Sequence, residues 1–564
     1  MKRFRYFGGG SLLAIAMTLG MGQAAAAQDA GGATELEAIV VTGSLIRGTP
    51  EDAALPVDVI SQEDLEKQGS PSTTELIKAL PVSNGVLGDT NQFDSRAQGS
   101  EGSGSVNLRG LGPTRTLVLV NGKRLAINPF ALAGAGAVDT NTIPAAAIGR
   151  VEVLKDGAAA TYGSDAIGGV VNFITRSGFE GVEVGGSYRW IDGSDGDYTT
   201  HVNLGKAWDR LDVFASFSYQ HRSELSMTER DWAIRPLPEN PEGGWSAAGN
   251  PSSFIAVGAL SSRFRDTQCA ALGGFEGFSG FTPVCNWQYT KYDNLVEEED
   301  RYQAYAEANF QATDTTKAHF EVLWSSTDVP HWKTSPSYAL LSVPTASVGS
   351  VFANYFVPAN NPGLIAYMAA NPSIPATNST TGADTVVPGA ALAGGALLIA
   401  SRPYAIGGNP MFGYGASEGK REFDAWRFSG DLTGEFDNGI TWQLGVTHAW
   451  EEGVRTGYDT VVNRYQLALR GYGSLASDPE GCTSAETAGW TTGAGNASLG
   501  CYFFNPFSSA IPQNVFTGQT TPQHSTALEN SADLTRWFFV QQWIKAKASV
   551  TTFDALVSGE FHFE

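Results

Sequence analysis

The chain has 564 residues, with 36 Lys and Arg against 58 Asp and Glu, a formal net charge of −22 and a pI near 4.7. So acidic a balance excludes a general nucleic-acid binder, whose affinity comes from neutralising phosphates. The 66 Gly, 30 Phe, 18 Tyr and 13 Trp suit strands, turns and aromatic girdles.

Residues 1–27 read as a secretory signal peptide. Lys2, Arg3 and Arg5 form a basic start, Leu12 to Leu19 is apolar but too short to span a bilayer, and Ala25-Ala26-Ala27 offers a cleavage site before Gln28. Its removal takes away three bases and no acid, which leaves the mature chain at −25. No later segment has eighteen uninterrupted apolar residues, so the exported chain is expected to be periplasmic, secreted or an outer-membrane β-barrel. Residues 28–43 are a short N-terminal segment. It closes on Glu37-Ala38-Ile39-Val40-Val41-Thr42-Gly43, a β-branched stretch able to add as a strand to a partner's sheet.

Residues 44–178 form the next unit. Thr116 to Val120 is a short buried strand, and Asn121-Gly122 after it is a turn signal. Val151, Val153 and Leu154 mark a second strand and Val170 to Ile174 a third, among glycines that allow close packing. Three blocks stand out: Val106-Asn107-Leu108-Arg109-Gly110-Leu111-Gly112, Leu117 to Leu125, and Arg150 to Arg176. In order and separation they resemble the plug domain of TonB-dependent outer-membrane transporters. The resemblance implies an α+β plug, and it makes Glu37–Gly43 a TonB box. It also makes Arg109 and Arg150 plug arginines that face acidic groups of a barrel wall, since buried guanidinium groups need carboxylate partners.

From residue 179 to 564 the pattern changes to period two. Val182, Val184, Tyr188 and Trp190 alternate with Glu183, Ser187 and Arg189. Similar runs follow at Tyr198–Trp208, Leu211–Tyr219, Tyr302–Phe310, Ala318–Trp324, Trp426–Phe436, Ile440–Trp450 and Phe553–Phe563. Short turns alternate with the long connections 222–299, 326–424 and 471–551, as in antiparallel transmembrane barrels; a β-sandwich would rarely carry such loops. The expected class is mainly β: a plug followed by the N-terminal portion of a barrel. About eight strands are present, whereas plugged transporters have about 22. Cys269/Cys285 and Cys482/Cys501 form two local pairs in the long loops. Each is expected as a disulfide in an oxidising compartment, because neither has the spacing or histidines of a zinc site.

Catalytic motifs are missing from the sequence. There is no H-E-x-x-H or G-x-S-x-G, Gly163 to Gly168 is followed by Gly169 rather than Lys, and seven scattered His give no metal cluster. No cofactor is expected. The resemblance implies active uptake of a scarce nutrient, such as a ferric siderophore or a carbohydrate, by a protein monomeric at full length. Its partners would be TonB on the periplasmic side, outer-membrane lipid and an extracellular ligand. The competing reading is a passive plugged porin or an adhesin barrel. The loops Gln92–Ser105 and Asn128–Gly136 are candidate apical ligand loops, and Tyr338–Tyr355 is an aromatic segment suited to stacking.

Overall fold

The computed structural model describes residues 57–67, 72–84, 86, 101–130, 136–239, 244–338, 355–395, 397–399, 402–482 and 500–559. The signal peptide and the Glu37–Gly43 segment lie outside the described residues.

The N-terminal unit is built on a five-stranded mixed sheet. Its strands are β1 (Val57–Ser61), β2 (Thr116–Val120), β3 (Lys123–Arg124), β4 (Ile148–Leu154) and β5 (Gly169–Thr175), in the order β1-β4-β5-β2-β3. β2 and β5 are parallel and the other pairings antiparallel. Every residue of β2 is buried. Leu117 and Leu119 pack on one face with Leu154 and Val170, while Val118 and Val120 pack on the other with Val151, Val153 and Phe173. That is why Thr116–Val120 reads as an unbroken apolar run rather than an alternating one. Helix α1 (Gln62–Lys67) follows β1, and α2 (Thr73–Ala79) is capped by Ser72, whose hydroxyl accepts from the Glu75 amide. Gly169 sits at φ +131°, where a Cβ would run into the Leu154 carbonyl, so the β4–β5 approach requires glycine.

The remaining long strands form one eight-stranded antiparallel sheet, the wall, with neighbours in chain order. Its strands, first to eighth, are Gly181–Arg189, Asp197–Ala207, Leu211–Arg222, Glu299–Gln311, Thr316–Thr334, Ser417–Glu435, Thr441–Thr460 and Phe539–Ser558. The first and last strands occupy opposite edges. One face carries exposed large apolar side chains, among them Val184 (77% exposed), Trp190 (73%) and Phe553 (81%). The other face carries buried polar groups, including Glu321, Arg301 and Arg427. Arg189 of the first strand and Asp554 of the eighth both pair with the N-terminal unit, so the wall wraps partly round it.

The three long connections are not simple loops. Parts of two of them build a six-stranded sheet whose strands, in spatial order, are Phe356–Val357, Leu397–Ile399, Ser253–Ala256, Ser262–Arg265, Ser373–Asn378 and Asp384–Pro388. The third contributes Phe507, which stacks on Phe254 and Tyr367 at 4.7 and 4.8 Å. The result is a cap with its own aromatic core, further joined by Asp266, whose carboxylate accepts from the Ser508 amide and hydroxyl. Cys269–Cys285 and Cys482–Cys501 are bonded, with Cα separations of 5.6 and 4.7 Å.

The eighth wall strand corrects one sequence expectation. It spans Phe539–Ser558 rather than Phe553–Phe563, pairing with the seventh from Thr460↔Phe539 to Thr441↔Ser558. Its first half carries Gln541, Gln542, Lys545 and Lys547, so the apolar alternation that marks the other strands is hidden there. Residues 560–564 lie outside the described residues.

Candidate functional site

The boundary between the N-terminal unit and the wall holds a network of buried polar contacts. At its centre is Arg427 of the sixth strand, pointing inward between the outward-facing Trp426 and Phe428. Its Nη2 donates to Glu321 Oε1 at 2.7 Å and to the Val120 carbonyl at 3.0 Å, and its Nε donates to the Arg124 carbonyl at 3.2 Å. Asn121, held in the left-handed region at φ 51° by the β2–β3 turn, donates to Glu321 Oε2 at 2.7 Å. The Tyr305 hydroxyl donates to Glu307 at 2.6 Å and lies 2.9 Å from Glu321, while Thr175 donates to Glu307 at 2.8 Å. Lys123 lies between Asp431 (2.8 Å) and Asp554 (2.9 Å). Burial disfavours its charge, but hydrogen bonds to those two carboxylates outweigh the penalty and raise its pKa.

Glu307, His319 and Glu321 place one ligand atom each within 4.8 Å of one another, a separation a metal ion could bridge. The Tyr305 hydroxyl already fills the space between the two carboxylates, and Arg427 neutralises Glu321. This group therefore reads as a hydrogen-bonded knot rather than a metal centre.

Nearer the cap a second set of contacts clamps the N-terminal unit. Glu101 pairs with Arg421 at 2.8 Å, both almost fully buried. Gln303 donates to the Asn141 and Ile143 carbonyls at 2.7 and 3.1 Å. Phe130 packs edge-on against Phe423 at 5.9 Å. Asp139 accepts from the Gly104 and Asn141 amides at 2.8 Å each. Burial nevertheless pushes its carboxyl up to about 7, with the nearby Arg301 charge and those amides opposing the rise.

Above this clamp the fifth to eighth strands enclose a cavity of about 350 Å³. Arg421, Arg455, Trp332, Tyr338, Trp543 and Asp459 are among its lining residues. The Arg421 guanidinium lies 4.0 Å from the Trp332 ring centre, and Arg455 lies 5.2 Å from that of Phe130. Two cations, one of them paired with Glu101, one carboxylate and three aromatic rings suit a ligand that carries polar groups and flat surface.

Residues 49–170 match the family model described as the TonB-dependent receptor plug domain. The N-terminal unit is such a plug. Among solved structures, the chain is similar to a mutant ferric enterobactin receptor from Pseudomonas aeruginosa (PfeA) in complex with enterobactin. Identity is 14% and the TM-score 0.38, over 71% of this chain and 45% of that one. It is similar to the alcaligin receptor FauA from Bordetella pertussis at 10% identity and TM-score 0.36, over 75% and 44%. It is similar to the ferric yersiniabactin uptake receptor FyuA from Yersinia pestis at 12% identity, over 72% and 42%. The chain thus spans less than half the length of each of these three.

Of the residues singled out in the sequence, Arg109 lies beside Asp156 of the plug at 3.5 Å, with half-exposed side chains. Arg150 pairs at 3.0 Å with Glu152, two residues along β4. The contacts described above that cross to the wall come from Glu101, Val120, Asn121, Lys123, Arg124, Phe130, Asn141, Ile143 and Thr175 of the plug. Their wall partners carry a readable signal: Arg301, Glu321, Arg421 and Arg427 fall on the inward parity of strands whose other face is aromatic or aliphatic. Of the two candidate apical loops, residues 101–105 and Asn128 are buried within the lumen, while 92–100 and 131–135 lie outside the described residues. Tyr338 lines the cavity beneath the cap, and 339–354 lie outside the described residues.

Proposed function

We propose that this protein is a TonB-dependent transporter of the bacterial outer membrane that takes up a scarce, negatively charged nutrient of the ferric-siderophore type. The observation that carries this reading is a plug domain held inside a wall with an apolar outer face and a polar inner face. Such a wall suits lipid outside and a wet lumen inside. No described helix is long and apolar enough to cross a membrane, so membrane contact falls to the strands.

In this reading Glu37–Gly43 is the TonB box, whose β-branched run pairs as an added strand with TonB in the periplasm. Energy from the inner membrane reaches the plug through that strand. Arg109 and Arg150 are proposed to face acidic groups of the barrel wall in the working transporter, although their partners among the described residues are Asp156 and Glu152 of the plug itself. The cap and the cavity below it face the outside. The arginines and rings of that cavity favour an anionic, aromatic-bearing ligand over a neutral sugar. A passive porin would have no use for a TonB-binding strand. Two experiments test the proposal. A peptide spanning Glu35–Gly43 should bind the periplasmic domain of TonB, and a Val40→Pro peptide should not. Ferric enterobactin, used as a probe, should bind the full-length protein while a neutral maltooligosaccharide does not. Equal binding of both peptides, or of both ligands, would contradict it.

A further inference from the structure

The plug is fastened unevenly. Against the fourth to eighth strands it is held by Arg421–Glu101, Arg427–Val120, Asn121–Glu321, Thr175–Glu307 and Lys123–Asp431/Asp554. Along the first three strands the ties are fewer and more exposed, Arg189–Glu75 among them, and a cavity of about 390 Å³ lies between the two bodies.

The register explains the gap. The inward positions of the first three strands align in rows, Gly185 beside His201 beside Ser218, and Ser187 beside Thr199 beside Gln220. Most of these side chains are small, and the plug opposes them with Ala145, Ala146, Ser72 and Thr73. The next row, toward the short turns, is Glu183, Asn203 and Ser216, and it closes the cavity. Arg176 donates to both oxygens of Glu183 at 3.0 and 2.8 Å. Asn203 donates to Glu183 at 2.9 Å and to the Ala146 carbonyl at 3.0 Å, tying wall to plug. The ion pairs on this face are partly exposed, whereas those on the opposite face, Arg421–Glu101 and Arg427–Glu321 among them, are buried.

We propose that the route opened through the lumen runs along the first three wall strands, past Gly185, His201 and Ser218, and that the Arg176–Glu183–Asn203 contact is its gate. Opening this side breaks two partly exposed ion pairs, Arg176–Glu183 and Arg189–Glu75, and one tie to a plug carbonyl. Opening the other side would strand several buried charges at once, a far larger cost. The inference rests on the transport reading. Its test uses KCl conductance of the full-length protein in planar lipid bilayers, which needs neither ligand nor TonB, so failure of this route is distinguishable from failure of energised uptake.

Arg176→Ala combined with Asn203→Ala should raise open-channel conductance at least tenfold over the unmodified protein. Asn121→Ala, on the fastened side, should not. Adding Ser218→Trp to the gate variant should return conductance to baseline by filling the cavity. A second measurement needs no gate variant: Ser218→Cys should react with a small methanethiosulfonate reagent at least tenfold faster than Ser429→Cys, which lies buried on the sixth strand. A gate variant as closed as the unmodified protein, an equal effect of Asn121→Ala, conductance indifferent to Ser218→Trp, or equal thiol rates would each overturn the proposal.

Discussion

Glu101 of the plug and Arg421 of the sixth wall strand meet at 2.8 Å, with 1% and 5% of their side-chain surfaces exposed. The pair lies directly beneath the cavity that the same arginine helps to line. One side chain therefore belongs both to the plug clamp and to the candidate ligand site, so a ligand that draws on Arg421 would weaken the hold on the plug.

Truncating one partner of that pair leaves the other charge buried. Glu101→Ala should destabilise the docked plug by about 3–5 kcal/mol, and the double variant Glu101→Ala/Arg421→Ala should recover part of the loss. Protease release of the plug from detergent-folded full-length protein measures both. A single variant as resistant as the unmodified protein would show that the contact does not clamp.

Asp139 gives a pH dependence with a defined sign. Its folded pKa is raised from 3.8 to about 7, so the folded state holds this proton more tightly than the unfolded chain. The stability it contributes is complete below about pH 4 and is lost as pH rises toward 7. Asp139→Asn keeps an oxygen for the Gly104 and Asn141 amides without the charge. Thermal melts should therefore show a flatter profile between pH 4 and 7, and a more stable plug at pH 8. Identical profiles would count against a strained, buried carboxylate.

Arg455 lines the cavity beside Arg421, so it is a second probe of ligand charge. Arg455→Ala should weaken ferric enterobactin binding by about ten- to a hundredfold, the range of a charge-assisted hydrogen bond. Titration with the intrinsic Trp fluorescence as readout checks this. An unchanged affinity would move the ligand elsewhere.

The cap depends on its staples. Cys269→Ser with Cys285→Ser removes a crosslink between residues 16 apart, worth about 3 kcal/mol in the chain-entropy model. Limited proteolysis should then cut the cap first and leave the wall intact. Simultaneous loss of wall and cap would mean that the two fold as one unit.

How much of this was legible follows from the range of the interactions. The wall strands, the first half of the eighth excepted, show in the alternation of residues such as Val182, Glu183 and Val184, because each needs only its own two faces. The cysteine pairs are also local. The cap was not legible: Phe254, Tyr367 and Phe507 come from three separate connections and sit in Gly-, Pro- and Ser-rich sequence with no repeating period. The plug partners were hidden for the same reason. Asn121 meets Glu321 across 200 positions and Lys123 meets Asp554 across 431. Arg109 and Arg150 stood out through their motif, whereas Glu101 and Lys123 lie in stretches that read only as a polar loop and a turn.

Energised uptake is proposed to run through Glu37–Gly43, and that segment is where it is most directly tested. Val40→Pro removes a backbone donor from the strand that TonB would pair with, while leaving the cavity and plug clamp untouched. In cells producing the full-length protein, ferric enterobactin should still bind at the surface, but its accumulation should fall to the level seen with a proton uncoupler. Accumulation equal to that of the unmodified protein would contradict the account.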